Sequence, residues 1–239
     1  MLRKLFLLPL VGLVAFLPRS VQAQSGTFIV SQNGSVVGSS TFDVKATPNG
    51  YSSTSLVRVS MQGLNYTLSK TETLDSANRL VHALLSGTVN GSAVNITAKP
   101  SDGKFLLNVS ANGRASTISL DSHGNTVILA DFDAGALETL LVMAAQQNNR
   151  DLWAIIPKQT GSVEPVRIAT YADQQGTYEG KPVTVHHLVA TFGNETADLF
   201  SGPEHQLLQA ELQQLGFALV RKGFVLTPPA KAAAPPPAN

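Results

Sequence analysis

The stretch Ala130-Asp131-Phe132-Asp133-Ala134-Gly135-Ala136-Leu137-Glu138-Thr139-Leu140-Leu141-Val142-Met143-Ala144-Ala145-Gln146-Gln147 decides the fold. On both sides of it the chain keeps the period of two that belongs to β-strands. Within it, Leu137, Leu140, Leu141 and Ala144 recur at the spacing that gathers side chains on one face of a helix. Asp133 stands where an N-cap is needed, because its carboxylate can accept the first unpaired backbone N–H groups. The pattern predicts one main helix, about Ala134 to Gln147, ended by Asn148 and Asn149. A helix this short is marginal alone in water and forms only when its apolar face is buried, so it must dock on the surrounding sheet.

Upstream, short β-rich runs alternate with the turn dipeptides Asn33-Gly34, Asn49-Gly50, Asn90-Gly91, Asp102-Gly103, Asn112-Gly113 and Gly124-Asn125. Asn-Gly and Asp-Gly supply the positive φ angles of tight hairpins, so the run reads as an antiparallel meander. Alternation in Val94-Ile96-Ala98 and Phe105-Leu107-Val109, with Asn95, Thr97 and Asn108 between, gives each strand one apolar and one wet face. Met61, Leu64, Tyr66 and Leu68 continue that face. Downstream, Leu152 to Pro157 reads as a buried strand, followed by strands at Val163 to Tyr171, Val183 to Phe192, Ala197 to Phe200, Leu207 to Leu212 and Phe217 to Arg221. Native twist makes so many strands curl, close or split. The expected fold is therefore mainly β: an antiparallel meander curved into a half-barrel or open barrel, with the helix across its concave face.

The ends read differently. Arg3 and Lys4 precede an apolar run from Leu5 to Leu17, and Val21-Gln22-Ala23 carries small residues at cleavage positions, the pattern of a secretory leader removed after Ala23. The run is shorter than the ~20 residues that span a bilayer, so no membrane span is expected in the mature chain. Residues 24–226 read as a single β-rich domain, and the Pro/Ala-rich tail 227–239 lacks the apolar side chains that offset ordering entropy. The expected location is periplasmic or secreted. With no Cys, the chain has neither a disulfide nor a thiol for acylation, and its stability must come from a core.

Removal of the leader takes away Arg3, Lys4 and Arg19, three cations, and turns the formal charge from +1 to −2. Charged residues are scattered, which argues against nucleic acid as a partner, since phosphate neutralisation needs clustered Lys and Arg. No catalytic constellation emerges. His186 and His187 are neighbours on a strand and point to opposite faces, and His82, His123 and His205 lie in other elements, so no metal is expected. Asp131 and Asp133 fall on one side of an extended segment, as a divalent-ion or hydrolytic site would require, but a strand end followed by a helix cap accounts for them. No cofactor motif is present. Trp153, the one tryptophan, sits in an apolar strand, where packing in the core or lining an apolar cavity would suit its ring.

Gly34-Ser35-Val36-Val37-Gly38 in the first hairpin, the Asp131 to Leu141 strand-to-helix switch, Leu152 to Pro157, and Ala197-Asp198-Leu199-Phe200 through Val220-Arg221-Lys222-Gly223 together resemble uncharacterised exported bacterial proteins that share the curved-sheet fold of the LolA and LolB lipoprotein carriers. The resemblance implies a concave apolar surface, covered by a helix, that shelters acyl chains in the carriers. On that basis Leu137, Leu140, Leu141 and Trp153 are the candidate ligand-binding residues, for a lipid or lipidated peptide. The alternative is a non-enzymatic structural or interaction module of the cell envelope, with a filled core, meeting an envelope protein through its sheet edge or its tail. An enzyme using Asp131 and Asp133 or His187 is the third and weakest reading.

Overall fold

The computed structural model describes residues 24–147, 150–158 and 161–228. The expected leader, the tail beyond Pro228 and the Asn148-Asn149 helix stop lie outside the described residues.

Eight strands form the expected meander: β1 (Gln24–Gln32), β2 (Ser35–Thr47), β3 (Gly50–Met61), β4 (Leu64–Asp75), β5 (Leu80–Val89), β6 (Ser92–Ser101), β7 (Lys104–Ala111) and β8 (Arg114–Asp121), each antiparallel to the next. Four of the dipeptides turn as predicted, Asn33-Gly34, Asn90-Gly91, Asp102-Gly103 and Asn112-Gly113. Asn33 and Gly34 have φ of 48° and 80°, and Asn90 and Gly91 have 50° and 81°, the paired positive angles whose twist matches that of the flanking strands.

Between β2 and β3 the turn falls on Pro48-Asn49, with Gly50 (φ 142°) already in β3, and at Gly124-Asn125 the hairpin reading itself is corrected. β8 stops at Asp121, and after Ser122–Gly124 the chain enters β9 (Asn125–Ile128), which has no ladder with β8. Instead β9 runs parallel to β10 (Leu152–Ile156), the two joined across α1 (Ala134–Gln146). The sheet continues through β11 (Ser162–Thr170), β12 (Gln174–Tyr178), β13 (Lys181–Phe192), β14 (Glu195–Ser201), β15 (Leu207–Leu212), β16 (Phe217–Arg221) and β17 (Phe224–Leu226). β16 pairs with β1 and closes the two arms into one sheet. From edge to edge its order is β8-β7-β6-β5-β4-β3-β2-β1-β16-β15-β14-β13-β11-β10-β9, antiparallel except at β9 and β10. Three residues, Ser122 to Gly124, suffice to step from one edge to the other. The two ends of the sheet are thus brought round to one corner, although no ladder joins them: the sheet is strongly curved and open.

Two glycines show how the long strands bend. A Cβ on Gly38 would lie 2.0 Å from the Arg58 carbonyl oxygen, and one on Gly87 would lie 1.9 Å from that of Thr67. Only residues without a side chain allow the backbones so close.

β12 and β17 were not expected. They pair with each other, and β12 with the first half of β13, as a small second layer around Val185, Phe200, Leu208 and Phe224. Everything else packs on one core that runs the length of the curved sheet and includes α1.

Candidate functional site

The interior of the curved sheet is occupied by α1. The helix touches β1, β2 and β3 on one arm and β9, β10 and β15 on the other. Residues Ala134 to Leu141, Met143 and Ala144 are all buried, Glu138 and Thr139 among them, and only the last turn is exposed. Gly135 sits against Phe42, where a Cβ would come within 2.7 Å of the phenylalanine's own Cβ.

Two buried polar clusters hold the helix in place. At its start, Asp133 Oδ1 accepts the Gly135 and Ala136 N–H groups at 3.0 and 3.2 Å, and Ser40 Oγ accepts that of Ala134. Asp133 Oδ2 lies 2.8 Å from Lys70 Nζ, which is also 3.0 Å from Glu72 Oε2. All three side chains are at most 1% exposed, so water screens none of them. Burial pulls the Lys70 pKa down, but the Asp133 and Glu72 carboxylates outweigh it and hold the ammonium above its ordinary value. Mid-helix, Glu138 Oε2 accepts the Leu207 N–H at 2.7 Å and lies 3.7 Å from Arg221 Nη1. Arg221 in turn donates to the Leu207 and Ser25 carbonyls and lies over the rings of Phe28 and Phe42. Loss of water is the main influence on the Glu138 carboxyl and pushes it up to about 7, against the pull of the Leu207 N–H and Arg221.

Beside the first turn of α1 opens a cleft of ≈90 Å³. Its walls are Phe132, Leu137, Phe192, Leu212 and Phe217, its rim carries Asp131, Lys158 and Glu195, and the exposed Leu215 stands at its lip. Lys158 Nζ pairs with Glu195 Oε1 at 2.9 Å. Asp131 keeps contact with solvent, yet the concave rim removes much of its hydration and raises its pKa, with Lys158 opposing and Glu195 adding. Phe132 has φ of 61°, rare for a bulky residue. Its ring is held edge-on by Tyr66 and Phe217, at centroid distances of 6.0 and 4.8 Å. This turn parts the two carboxylates: Asp131 goes to the cleft rim and Asp133 into the core, so they do not converge on an ion or a substrate.

Of the expected ligand-binding residues, the structure brings Leu137, Leu140 and Leu141 together. Leu137 lines the cleft, whereas Leu140 and Leu141 are packed in the core. Trp153 is elsewhere. Ile156 shares the cleft with Leu137, so by strand alternation Trp153 points to the other side of β10, the side of the fully buried Ile155. The tryptophan is half-buried, stacked on His123 at 3.5 Å, and its indole N–H donates to Asp151. The adjacent histidines diverge as strand geometry requires: His186 Nδ1 meets Asp173 at 2.9 Å and His187 Nε2 meets Asp198 at 2.7 Å. Among the described residues no three His, Asp or Glu side chains gather as a metal site, and no helix is long and apolar enough to cross a membrane.

Lys70, Glu72, Glu138 and Arg221 escaped the sequence reading. The signal for the first two was present: Tyr66, Leu68, Lys70, Glu72 and Leu74 share one face of β4, so both charges occupy core positions. No protein-family model, curated protein or solved structure matches the chain.

Proposed function

We propose that this is an exported, non-enzymatic interaction module of the cell envelope, whose curved sheet is filled by its own helix instead of by a ligand. The observation that carries the reading is the burial of α1 from Ala134 to Leu141 and at Met143 and Ala144, with only ≈90 Å³ of cleft beside it. Sites that enclose small molecules measure about 300–1,000 Å³. The buried Lys70-Glu72-Asp133 cluster supports it too. Such clusters add little stability over apolar packing, but they fix where an element sits. A partner would be met at the edge strand β8, which is exposed along most of its length and pairs with a neighbouring strand on one side only. Native mass spectrometry of the protein purified from its own host tests this. The expected result is bare protein with no uptake of fluorescent fatty acid; a stoichiometric co-purifying lipid would overturn it.

A second reading, an apolar-ligand carrier that shelters a lipid or lipidated peptide once α1 swings out, draws on one feature. The cleft has apolar walls, reaches Leu137, and ends at the exposed Leu215.

A further inference from the structure

Behind α1, on the far side from the cleft, a cavity of ≈20 Å³ is bounded by the start of β1, by β3 and by the helix. Gln24, Ser53, Glu138 and Thr139 contribute to its wall. Three of these carry a buried side-chain oxygen that meets no hydrogen-bond partner: Gln24 Oε1, Ser53 Oγ and Glu138 Oε1. Ser53 and Glu138 are each 1% exposed, so bulk water does not supply the missing donors. The nearest cation to Glu138, Arg221, already gives protons to the Leu207 and Ser25 carbonyls. Gln24 Oε1 and Glu138 Oε1 can only accept, the Ser53 hydroxyl can donate or accept, and the pocket holds about one non-hydrogen atom.

We propose that this cavity seats the chain's own α-ammonium group, created at Gln24 when the leader is removed after Ala23. The inference rests on the export reading given above. An ammonium sets a positive charge and three N–H donors before the Glu138 carboxylate, the Gln24 amide oxygen and the lone pairs of the Ser53 hydroxyl, whereas a water brings two donors and no charge. It needs no capture from solution, because Gln24 is itself part of the wall. Before cleavage the same nitrogen is a neutral amide with a single N–H. Processing would then complete a buried ion pair with Glu138, in the middle of α1, and lock the helix inside the sheet.

The test uses the secreted, processed protein and a version with Gly-Ser inserted between Ala23 and Gln24, each with Glu138 and with Glu138→Gln. Intact mass locates the first residue. The expected result is an N-terminal Gln24 with a free amine, a Tm about 2–4 °C lower for the extended protein, and a much smaller difference in the Glu138→Gln pair. The Gln24 amine should also react more slowly with an acetylating reagent than the extended protein's amine, a comparison that needs no Glu138 variant. A first residue other than Gln24 would overturn the processing reading itself. Correct processing with equal Tm and equal labelling, or a mass lower by one ammonia from cyclised Gln24, would overturn the ammonium site alone.

Discussion

Lys70 Nζ and Asp133 Oδ2 stand 2.8 Å apart in the core, tying the N-cap of the helix to the middle of β4. One carboxylate therefore sets both where α1 begins and where it lies on the sheet. Replacing Lys70 by Met leaves Asp133 and Glu72 buried without their cation. The expected loss is about 3–5 kcal/mol, the range for an orphaned buried charge, measured by urea unfolding; a loss under about 1 kcal/mol would mean the cluster is hydrated.

Glu138 gives the pH dependence. With a peptide bond at Ala23-Gln24, its folded pKa of about 7 lies above the ordinary value of 4.5. The folded state then holds the proton more tightly than the unfolded state, so stability rises as pH falls from about 7.5 to 5 and is lost as pH rises through 7. The shift corresponds to at most about 3 kcal/mol. Arg221 from β16 and Tyr51 from β3 are the other titratable groups facing it. Thermal unfolding across that range should show the slope, Glu138→Gln should flatten it, and a docked Gln24 ammonium would reduce it by favouring the charged carboxylate.

Leu140 and Trp153 should part company. Leu140 is 0% exposed between the sheet arms, and its truncation to Ala is expected to cost about 2–5 kcal/mol. Trp153→Phe, on the side of β10 away from the cleft, keeps the ring stack on His123 and loses one exposed hydrogen bond. Less than about 1 kcal/mol is expected, and acrylamide should quench Trp153 readily in the folded protein.

Gly87→Ala tests the curvature. Its Cβ would collide with the Thr67 carbonyl, which belongs to a paired strand and has little room to yield. A loss of at least about 1–3 kcal/mol is expected in chemical denaturation.

The meander was legible because Asn-Gly and Asp-Gly turns are local, and the helix because Asp133 and the leucine spacing are local too. What a single strand cannot show is which partner it finds. β9 leaves its neighbour β8 for β10, twenty-odd residues away, because α1 must cross the sheet between them. Leu152 to Ile156 is apolar throughout, so no alternation revealed that Trp153 points away from the cleft. Lys70 and Glu72 broke the apolar face of β4 in plain view, but their partner Asp133 is more than sixty residues on, and capping already gave that residue a role. Glu138 is the sole charge between Ala134 and Gln147, a sign of burial that the leucine stripe obscured.

Amide hydrogen exchange at α1 tests the central claim most directly. If the helix is the permanent filling of the sheet, the amides of Leu140 to Ala144 exchange only through global unfolding, with the same free energy as those of β3 and β4. If α1 instead exchanges through a cheaper opening while the sheet stays protected, the helix is a movable cover, and the filled-module account is wrong.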